Sequence, residues 1–205
     1  MIQRLLASAA LSVAALGTAQ AVTVTSIVGT GTFFNSPSAL LTDGDFGLGF
    51  GWGSAPTVSW AGQTGATGVA FTLTLDTLYT LHDVRIGVDS NDFYAVQTST
   101  DGTTWNTLFT SLSASLDAGF QWGGSGSLIK KSSVLGESAY SSLIDFPASP
   151  ARYVRIFAAG GDDFYAVSEI QLVGTAVPVP EPLTSAMLLS GLSALGFLAR
   201  RRRAV

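Results

Sequence analysis

The chain has 205 residues, a formal net charge of −4 and a high hydrophobic content of 47%, with no cysteine and one histidine. Without cysteine it is neither a disulfide-stapled mini-domain nor a protein with a thiolate nucleophile or a thiolate metal site. Zinc sites built on several imidazoles are likewise excluded, and any Ser-His-Asp triad would need His82.

Residues 1–21 at the N-terminus have the pattern of a secretory signal peptide. Arg4 gives a positive start, an apolar run follows from Leu5 to Leu16, and Ala19-Gln20-Ala21 is a small-x-small cleavage site. The order of charge, apolar run and small residues favours this interpretation over a buried N-terminal helix. We therefore predict export and removal of the segment by signal peptidase.

The segment that remains between the two termini, 22–176, is strongly acidic. It holds five basic and thirteen acidic residues, so its net charge is −8. Such a surface repels nucleic acid phosphates and offers them no basic stripe. It suits a cation or a neutral ligand better.

Alternating apolar residues in this segment predict strands. Phe71, Leu73 and Leu75 share one face of their run, as do Val84, Ile86 and Val88 in the next. Asp101-Gly102 predicts a hairpin turn between two such runs, and no stretch has a sustained helical period. Many short strands without helices predict an all-β, antiparallel β-sandwich over 22–176. The six-residue echo of NDFYAV (91–96) in DDFYAV (162–167) indicates two equivalent hairpins or a coincidence.

The motifs of this domain resemble those of the discoidin or coagulation-factor type C domains. The matching pieces are Asp43-Gly44-Asp45, Ser99–Trp105, Arg152–Ile156 and Ser168-Glu169-Ile170, whereas 110–150 departs from the pattern. The resemblance implies a galactose-binding-like jelly roll. It also implies a structural calcium ion held by Asp43, Asp45 and Glu169. The alternative is that the two aspartates cap a turn and that the glutamate faces solvent.

The resemblance further implies a ligand surface, most often for a sugar, on loops at one end of the sandwich. Sugar recognition needs an exposed aromatic face and a few polar groups. The candidate aromatic and polar residues are Trp52, Phe120, Trp122, Asp92 and Asp163. The alternative places these aromatics in the core and the aspartates on solvated turns. Trp60 and Trp105 lie in strand-like runs and are expected in the core.

The C-terminal segment, 177–205, combines a proline-rich hinge, an uncharged stretch and a run of arginines. The stretch Leu183–Ala199 would be roughly 25 Å long as a helix, at the short limit for a bilayer core of about 30 Å. Arg200, Arg201, Arg202 and Arg203 would hold the C-terminus in the cytoplasm. We therefore predict a transmembrane helix over 183–199 that anchors an exported domain.

This tail resembles the PEP-CTERM sorting signal of Gram-negative bacteria. The resemblance rests on Pro180-Glu181-Pro182, the apolar helix and the terminal arginines, together with the N-terminal signal. It implies processing by an exosortase-like enzyme from an inner-membrane intermediate, and a role in exopolysaccharide production. A plain C-terminal anchor, which is not removed, is the alternative.

The sequence thus predicts a non-enzymatic protein of the cell surface or extracellular matrix that binds carbohydrate. A structural or adhesive matrix protein without a specific small ligand is the alternative, and a secreted hydrolase ranks third. Two carboxylates suffice for glycoside hydrolysis, but no acidic pair lies in an apolar setting that would separate their pKa values.

Overall fold

The computed structural model describes residues 18–111, 126–178 and 182–201. These residues form a compact domain within Gly17–Val177 and the described part of a second unit that contains the C-terminal residues from Pro178. The strands are β1 Gln20–Ala21, β2 Val24–Thr30, β3 Val58–Ala61, β4 Ala70–Asp89, β5 Phe93–Ser99, β6 Asn106–Ser111, β7 Leu128–Ser132, β8 Ser149–Gly160 and β9 Phe164–Ala176. The helices are α1 Pro37–Leu40, a 3₁₀ helix Ser142–Ile144 and α2 Pro182–Arg201.

The 20-residue strand β4 takes part in both layers of the domain. Its first half pairs with β2 on one side and β8 on the other. Its second half pairs with β9 and β7. The layer of β8 continues through β5 to β6, and β9 also pairs with β1 and β3. All these pairings are antiparallel, so the predicted antiparallel β-sandwich is confirmed.

Alternation along the strands places their apolar residues in the core, as predicted. Phe71, Leu73 and Leu75 are fully buried, whereas the intervening Thr72 and Thr74 are only half-buried. Val84, Ile86 and Val88 in the second half of β4 are also buried, with half-buried Arg85 and buried Gly87 between them, and Val154 and Ile156 in β8 are buried on either side of half-buried Arg155. The period of two along a pleated strand therefore separates core from surface.

The predicted hairpin joins β5 to β6. Asp101 Oδ1 accepts the backbone N–H groups of Thr103 and Thr104, each at 2.8 Å. Gly102 has φ of 75°, a conformation that glycine adopts without steric strain. The turn chemistry read from the sequence thus sets the register of this hairpin.

The first strand of the domain begins at Gln20, two residues before residue 22, the predicted start of the domain. Gln20 and Ala21, the last residues of the predicted signal peptide, form β1 and pair with Gly174 and Val173 of β9. The rest of that segment up to residue 17 lies outside the described residues. Strand β9 ends at Ala176, the predicted end of the domain.

The predicted C-terminal helix is found as α2, which extends one residue before and two beyond 183–199. Two of its serines donate hydrogen bonds to the helix backbone, Ser190 to Met187 O at 2.9 Å and Ser193 to Leu189 O at 2.7 Å. Among the described residues, no helix is long and apolar enough to cross a membrane. The prediction that this helix spans a membrane is therefore not supported.

Candidate functional site

Several loops meet at one end of the sandwich, at the turns that join β4 to β5 and β8 to β9. Each of these turns crosses from one layer to the other. The loop after β3 closes on the second turn, because Gly62 N donates to Asp163 O at 2.9 Å. Phe34 and Ser59 form an isolated bridge that brings the loop after β2 to the same region. We call this region the crossover end.

Three aromatic side chains form an exposed patch at the crossover end. Trp52 lies with its ring centroid 5.1 Å from that of Phe164 and 6.0 Å from that of Phe34, both edge to face. The exposed fractions are 36% for Trp52, 50% for Phe164 and 54% for Phe34. We call these three residues the aromatic patch. An exposed patch of this kind is typical of a binding surface rather than of a solvated loop.

The patch is fixed to the core through Trp60. Trp52 Nε1 donates to Trp60 O at 2.9 Å, and Gly53 N donates to Ser59 Oγ at 3.0 Å. Trp60 itself is fully buried against Tyr94 and Tyr165, with ring centroids 6.3 and 5.6 Å away. The loop that carries Trp52 is therefore held by side-chain and backbone hydrogen bonds that reach the core.

The two echoed segments occupy equivalent positions at the crossover end. Asp92-Phe93-Tyr94 leads into β5 and Asp163-Phe164-Tyr165 into β9. In each, the tyrosine hydroxyl contacts the preceding aspartate at 3.4 Å, and the two tyrosine rings pack 6.5 Å apart. The echo therefore has a structural meaning, since it marks the two crossover turns.

The two aspartates of the echo differ in their surroundings. Asp92 is 1% exposed, with Oδ1 accepting Asp162 N at 3.1 Å and Oδ2 accepting the Tyr94 hydroxyl. Asp163 is exposed and has φ of 74°. Asp163, the residue before Phe164, is thus the exposed member of the two, whereas Asp92 supports the turns from inside.

Burial changes the acidity of two aspartates at this end. Desolvation is the main reason why the pKa of Asp92 is raised to about 7 and that of Asp89 to about 6. Backbone N–H donors oppose the shift, and the neighbouring carboxylates, including Asp162, reinforce it. Near neutral pH these two carboxyl groups are therefore partly protonated, and the repulsion between the carboxylates makes any further negative charge at the crossover end unfavourable.

The loop with Asp43 and Asp45 lies against Glu169 on β9, at a second location. Gly44 N donates to Glu169 Oε2 at 3.0 Å, while Asp43 Oδ1 and Asp45 Oδ1 accept backbone N–H groups of their own loop. Burial, with a contribution from Asp43, raises the pKa of Glu169 to about 7. A cavity of about 470 Å³ opens beside Asp43, Glu169 and Arg85.

The donors at this loop are all oxygen atoms, which fits calcium. A buried glutamate next to a second carboxylate also favours a cation. Among the described residues, however, no group of three or more His, Cys, Asp or Glu side chains is arranged to hold a metal ion. The structure thus brings Asp43 and Glu169 together, and the calcium ion stays a prediction.

A comparison with protein families decides the nature of the C-terminus. Residues 178–203 match the PEP-CTERM protein-sorting motif. The resemblance stated from Pro180-Glu181-Pro182 and the arginines is thereby confirmed. The PEP-CTERM motif indicates an exported protein that is processed at its C-terminus. It covers only the tail, and no curated protein matches the sequence.

Comparison with solved structures identifies the fold of the domain that precedes the PEP-CTERM motif. Truncated AlyQ with CBM32 and alginate lyase domains is 15% identical, with a TM-score of 0.51 over 80% of this chain and 36% of that one. This chain therefore spans about a third of that protein. The CBM32 of AlyQ in complex with 4,5-unsaturated mannuronic acid is 14% identical, with a TM-score of 0.50 over 75% of this chain and 97% of that one. The predicted discoidin-like fold is confirmed, since both of these neighbours contain a CBM32 domain of that fold.

The structure brings together only part of the predicted ligand site. Trp52 and Asp163 both lie at the crossover end, next to Phe164. Phe120 and Trp122 lie outside the described residues, as do Pro180, Glu181, Arg202 and Arg203. Pro182 begins α2, and Arg200 and Arg201 end it.

Sequence reasoning missed two members of the patch and misplaced one tryptophan. Phe34 and Phe164 were not candidates, although the echo that contains Phe164 was a signal. Trp105 was expected in the core but is only partly buried, with the Arg155 guanidinium 4.1 Å from its ring centroid. It precedes β6 on the turn of the hairpin, so it stacks on a cation instead of entering the core.

The raised pKa of Asp92 predicts a stability that falls as pH rises. Between about pH 4 and 7 the folded protein keeps a proton that the unfolded chain has lost, so the stabilisation present at low pH disappears through this window. In wild type the free energy of unfolding should decrease from pH 5 to pH 8, and in Asp92→Asn this decrease should be smaller by about 1 kcal/mol or more.

Urea unfolding of the full chain at pH 5 and pH 8, with a chelator present, measures this difference. Asp163→Asn, at the exposed equivalent position, serves as the control and should keep the wild-type slope. A slope that is equally steep in wild type and Asp92→Asn contradicts the assignment.

Proposed function

We propose that this chain is an exported protein, sorted through its PEP-CTERM motif, whose β-sandwich binds carbohydrate without catalysis. The observation that carries the proposal is the aromatic patch of Phe34, Trp52 and Phe164, which is exposed yet fixed to a buried tryptophan. An aromatic face stacks on the C–H groups of a sugar ring, while the polar groups around it select hydroxyls. Asp163, the exposed residue that precedes Phe164, is the polar group that we assign to this second purpose.

The fold likeness supports a binding role over a catalytic one. One of the two similar structures is a carbohydrate-binding module with a bound sugar derivative, and the other joins such a module to a separate alginate lyase domain. The crossover end has no described His, and its buried Asp92 and Asp89 carboxylates accept hydrogen bonds from backbone N–H groups. The site therefore has the groups that recognition needs. Its two buried aspartates both have raised pKa values, whereas a catalytic acid and base need pKa values that lie far apart.

The charge at the crossover end favours a neutral polysaccharide. Asp89, Asp92, Asp162 and Asp163 all lie on or beside its two turns, and the segment 22–176 has a net charge of −8. A uronic acid polymer would bring further negative charge against them. We therefore assign a neutral glycan of the exopolysaccharide matrix as the ligand class.

Export and processing complete the proposal. Signal peptidase removes the N-terminal segment, and an exosortase-like enzyme in the inner membrane of a Gram-negative cell recognises Pro180-Glu181-Pro182 on a membrane-held intermediate. Removal of the tail releases the domain to the cell surface or matrix. A structural calcium ion held by Asp43, Asp45 and Glu169 would stabilise the loop without taking part in sugar binding.

Replacement of the patch aromatics tests the binding site. Trp52→Ala and Phe164→Ala should each raise the Kd for a bound neutral glycan at least about tenfold, or about 1.4 kcal/mol, because the stacking surface is lost. A glycan array with neutral and uronic acid polymers, followed by calorimetry on the purified full chain, provides the measurement.

Trp105→Ala is the matched control, since Trp105 is also a partly exposed tryptophan but stacks on Arg155 in a different hairpin. It should bind like the wild type. Absence of binding to every glycan would favour a structural or adhesive matrix protein, and equal losses in all three variants would place the site elsewhere.

Replacement of Pro180, Glu181 and Pro182 by alanine tests the sorting step. In the native host, the wild-type protein at the surface should have a mass that lacks the C-terminal helix, whereas the triple variant should keep it. Mass spectrometry of surface protein and of membrane fractions makes the comparison. Wild-type surface protein with an intact tail, or identical cleavage of both proteins, would contradict the proposal.

A further inference from the structure

Polar and acidic side chains from both crossover turns form a cluster beneath the exposed end. Asp89 is the last residue of β4, Asn91 lies in the turn that follows, and Asp162 lies in the other turn. Asn91 Nδ2 donates to Asp162 Oδ2 at 2.7 Å, which joins the two turns across 71 positions of sequence. We call these three residues the turn cluster.

The Asp89 carboxylate has one oxygen without a partner. Asp89 is only 1% exposed, and its Oδ1 has no hydrogen-bond partner. A buried carboxylate oxygen without a donor is unfavourable by several kcal/mol in general, so an atom of this kind requires an explanation.

The unpartnered oxygen points into the turn cluster. A Cβ atom built on Gly126 would overlap both Asp89 Oδ1 and Asn91 Oδ1, so these two oxygens lie side by side. The Asn91 amide nitrogen is directed to Asp162, which turns its oxygen toward Asp89. Both oxygens are acceptors, and neither supplies the positive charge or proton that would make their contact favourable.

We propose that Asp89, Asn91 and Asp162 bind a calcium ion that links the two crossover turns. Two carboxylates balance the charge of a divalent cation, and an amide oxygen is a common third ligand. The donors are hard oxygen atoms with no imidazole or thiolate, which selects against transition metals. Calcium accepts flexible geometry and completes its six to eight ligands with carbonyls and water, whereas magnesium demands a strict octahedron.

This site is separate from the one implied for Asp43, Asp45 and Glu169, with which it shares no residue. It uses two carboxylates and an amide, so it is compatible with the absence of a group of three acidic or imidazole ligands among the described residues. The ion would hold the turn that carries Asp163 and Phe164, next to the aromatic patch.

Calcium titration of the metal-stripped full chain, without any sugar, tests the proposal. The wild type should show a binding event and a rise in melting temperature that Glu169→Gln retains. Asp89→Asn should weaken this event at least tenfold. Asparagine at 89 would place an N–H donor beside Asn91 Oδ1, so the variant should fold and should melt higher than the metal-free wild type.

Asp162→Asn provides a second variant at a half-buried position, and it should weaken the same event at least tenfold even if Asp89→Asn does not fold. Asp163→Asn is the matched control and should bind like the wild type. The proposal is overturned if Asp162→Asn and Asp89→Asn bind calcium like the wild type, if Glu169→Gln removes the whole calcium response, or if the wild type binds none. Since no sugar is present, these outcomes are independent of carbohydrate binding.

Discussion

The hydroxyl group of Tyr94 joins the two turns on which the functional end is built. Tyr94 is fully buried, and its oxygen accepts Ala166 N at 2.9 Å at the start of β9. The same hydroxyl donates to Asp92, whose other oxygen accepts Asp162 N. One side chain from β5 thus fixes the neighbouring turn and the beginning of β9. The position of Phe164, and through it the aromatic patch, follows from this contact.

This arrangement gives rigidity at an energetic cost. Asp92 and Asp89 are buried close to each other and to Asp162, which raises the pKa values of Asp92 and Asp89 toward neutrality. Such a cluster disfavours the charged state unless a proton or a cation is present. A rigid end whose carboxylates repel one another is suited to a cation within it and to a neutral glycan above it, because an anionic glycan would add to the repulsion. The two proposed ligands therefore follow from one electrostatic feature.

The sequence predicts the features that depend on local pattern. The alternation of Phe71, Leu73 and Leu75 predicts a strand face, and Asp101-Gly102 predicts its hairpin, because both depend only on neighbouring residues. The resemblance to discoidin domains implies a site of Asp43, Asp45 and Glu169, and the structure brings Asp43 and Glu169 together, with Gly44 N donating to the glutamate. The aromatic patch is different, since Phe34, Trp52 and Phe164 come from three distant segments and meet only in the folded chain. The burial of Asp92 is likewise not predictable from the sequence, because an aspartate in a turn is ordinarily solvated.

Hydrogen exchange at the Ala166 amide, measured by NMR in Tyr94→Phe and Tyr165→Phe, tests the dependence on Tyr94 most directly. Phenylalanine at 94 keeps the ring but leaves the buried Ala166 N–H without its acceptor, which in general lowers the free energy of unfolding by about 1–3 kcal/mol. The account predicts at least about tenfold faster exchange at Ala166 in Tyr94→Phe and near wild-type exchange in Tyr165→Phe, whose hydroxyl contacts the exposed Asp163. Unchanged protection of Ala166 in Tyr94→Phe would contradict it.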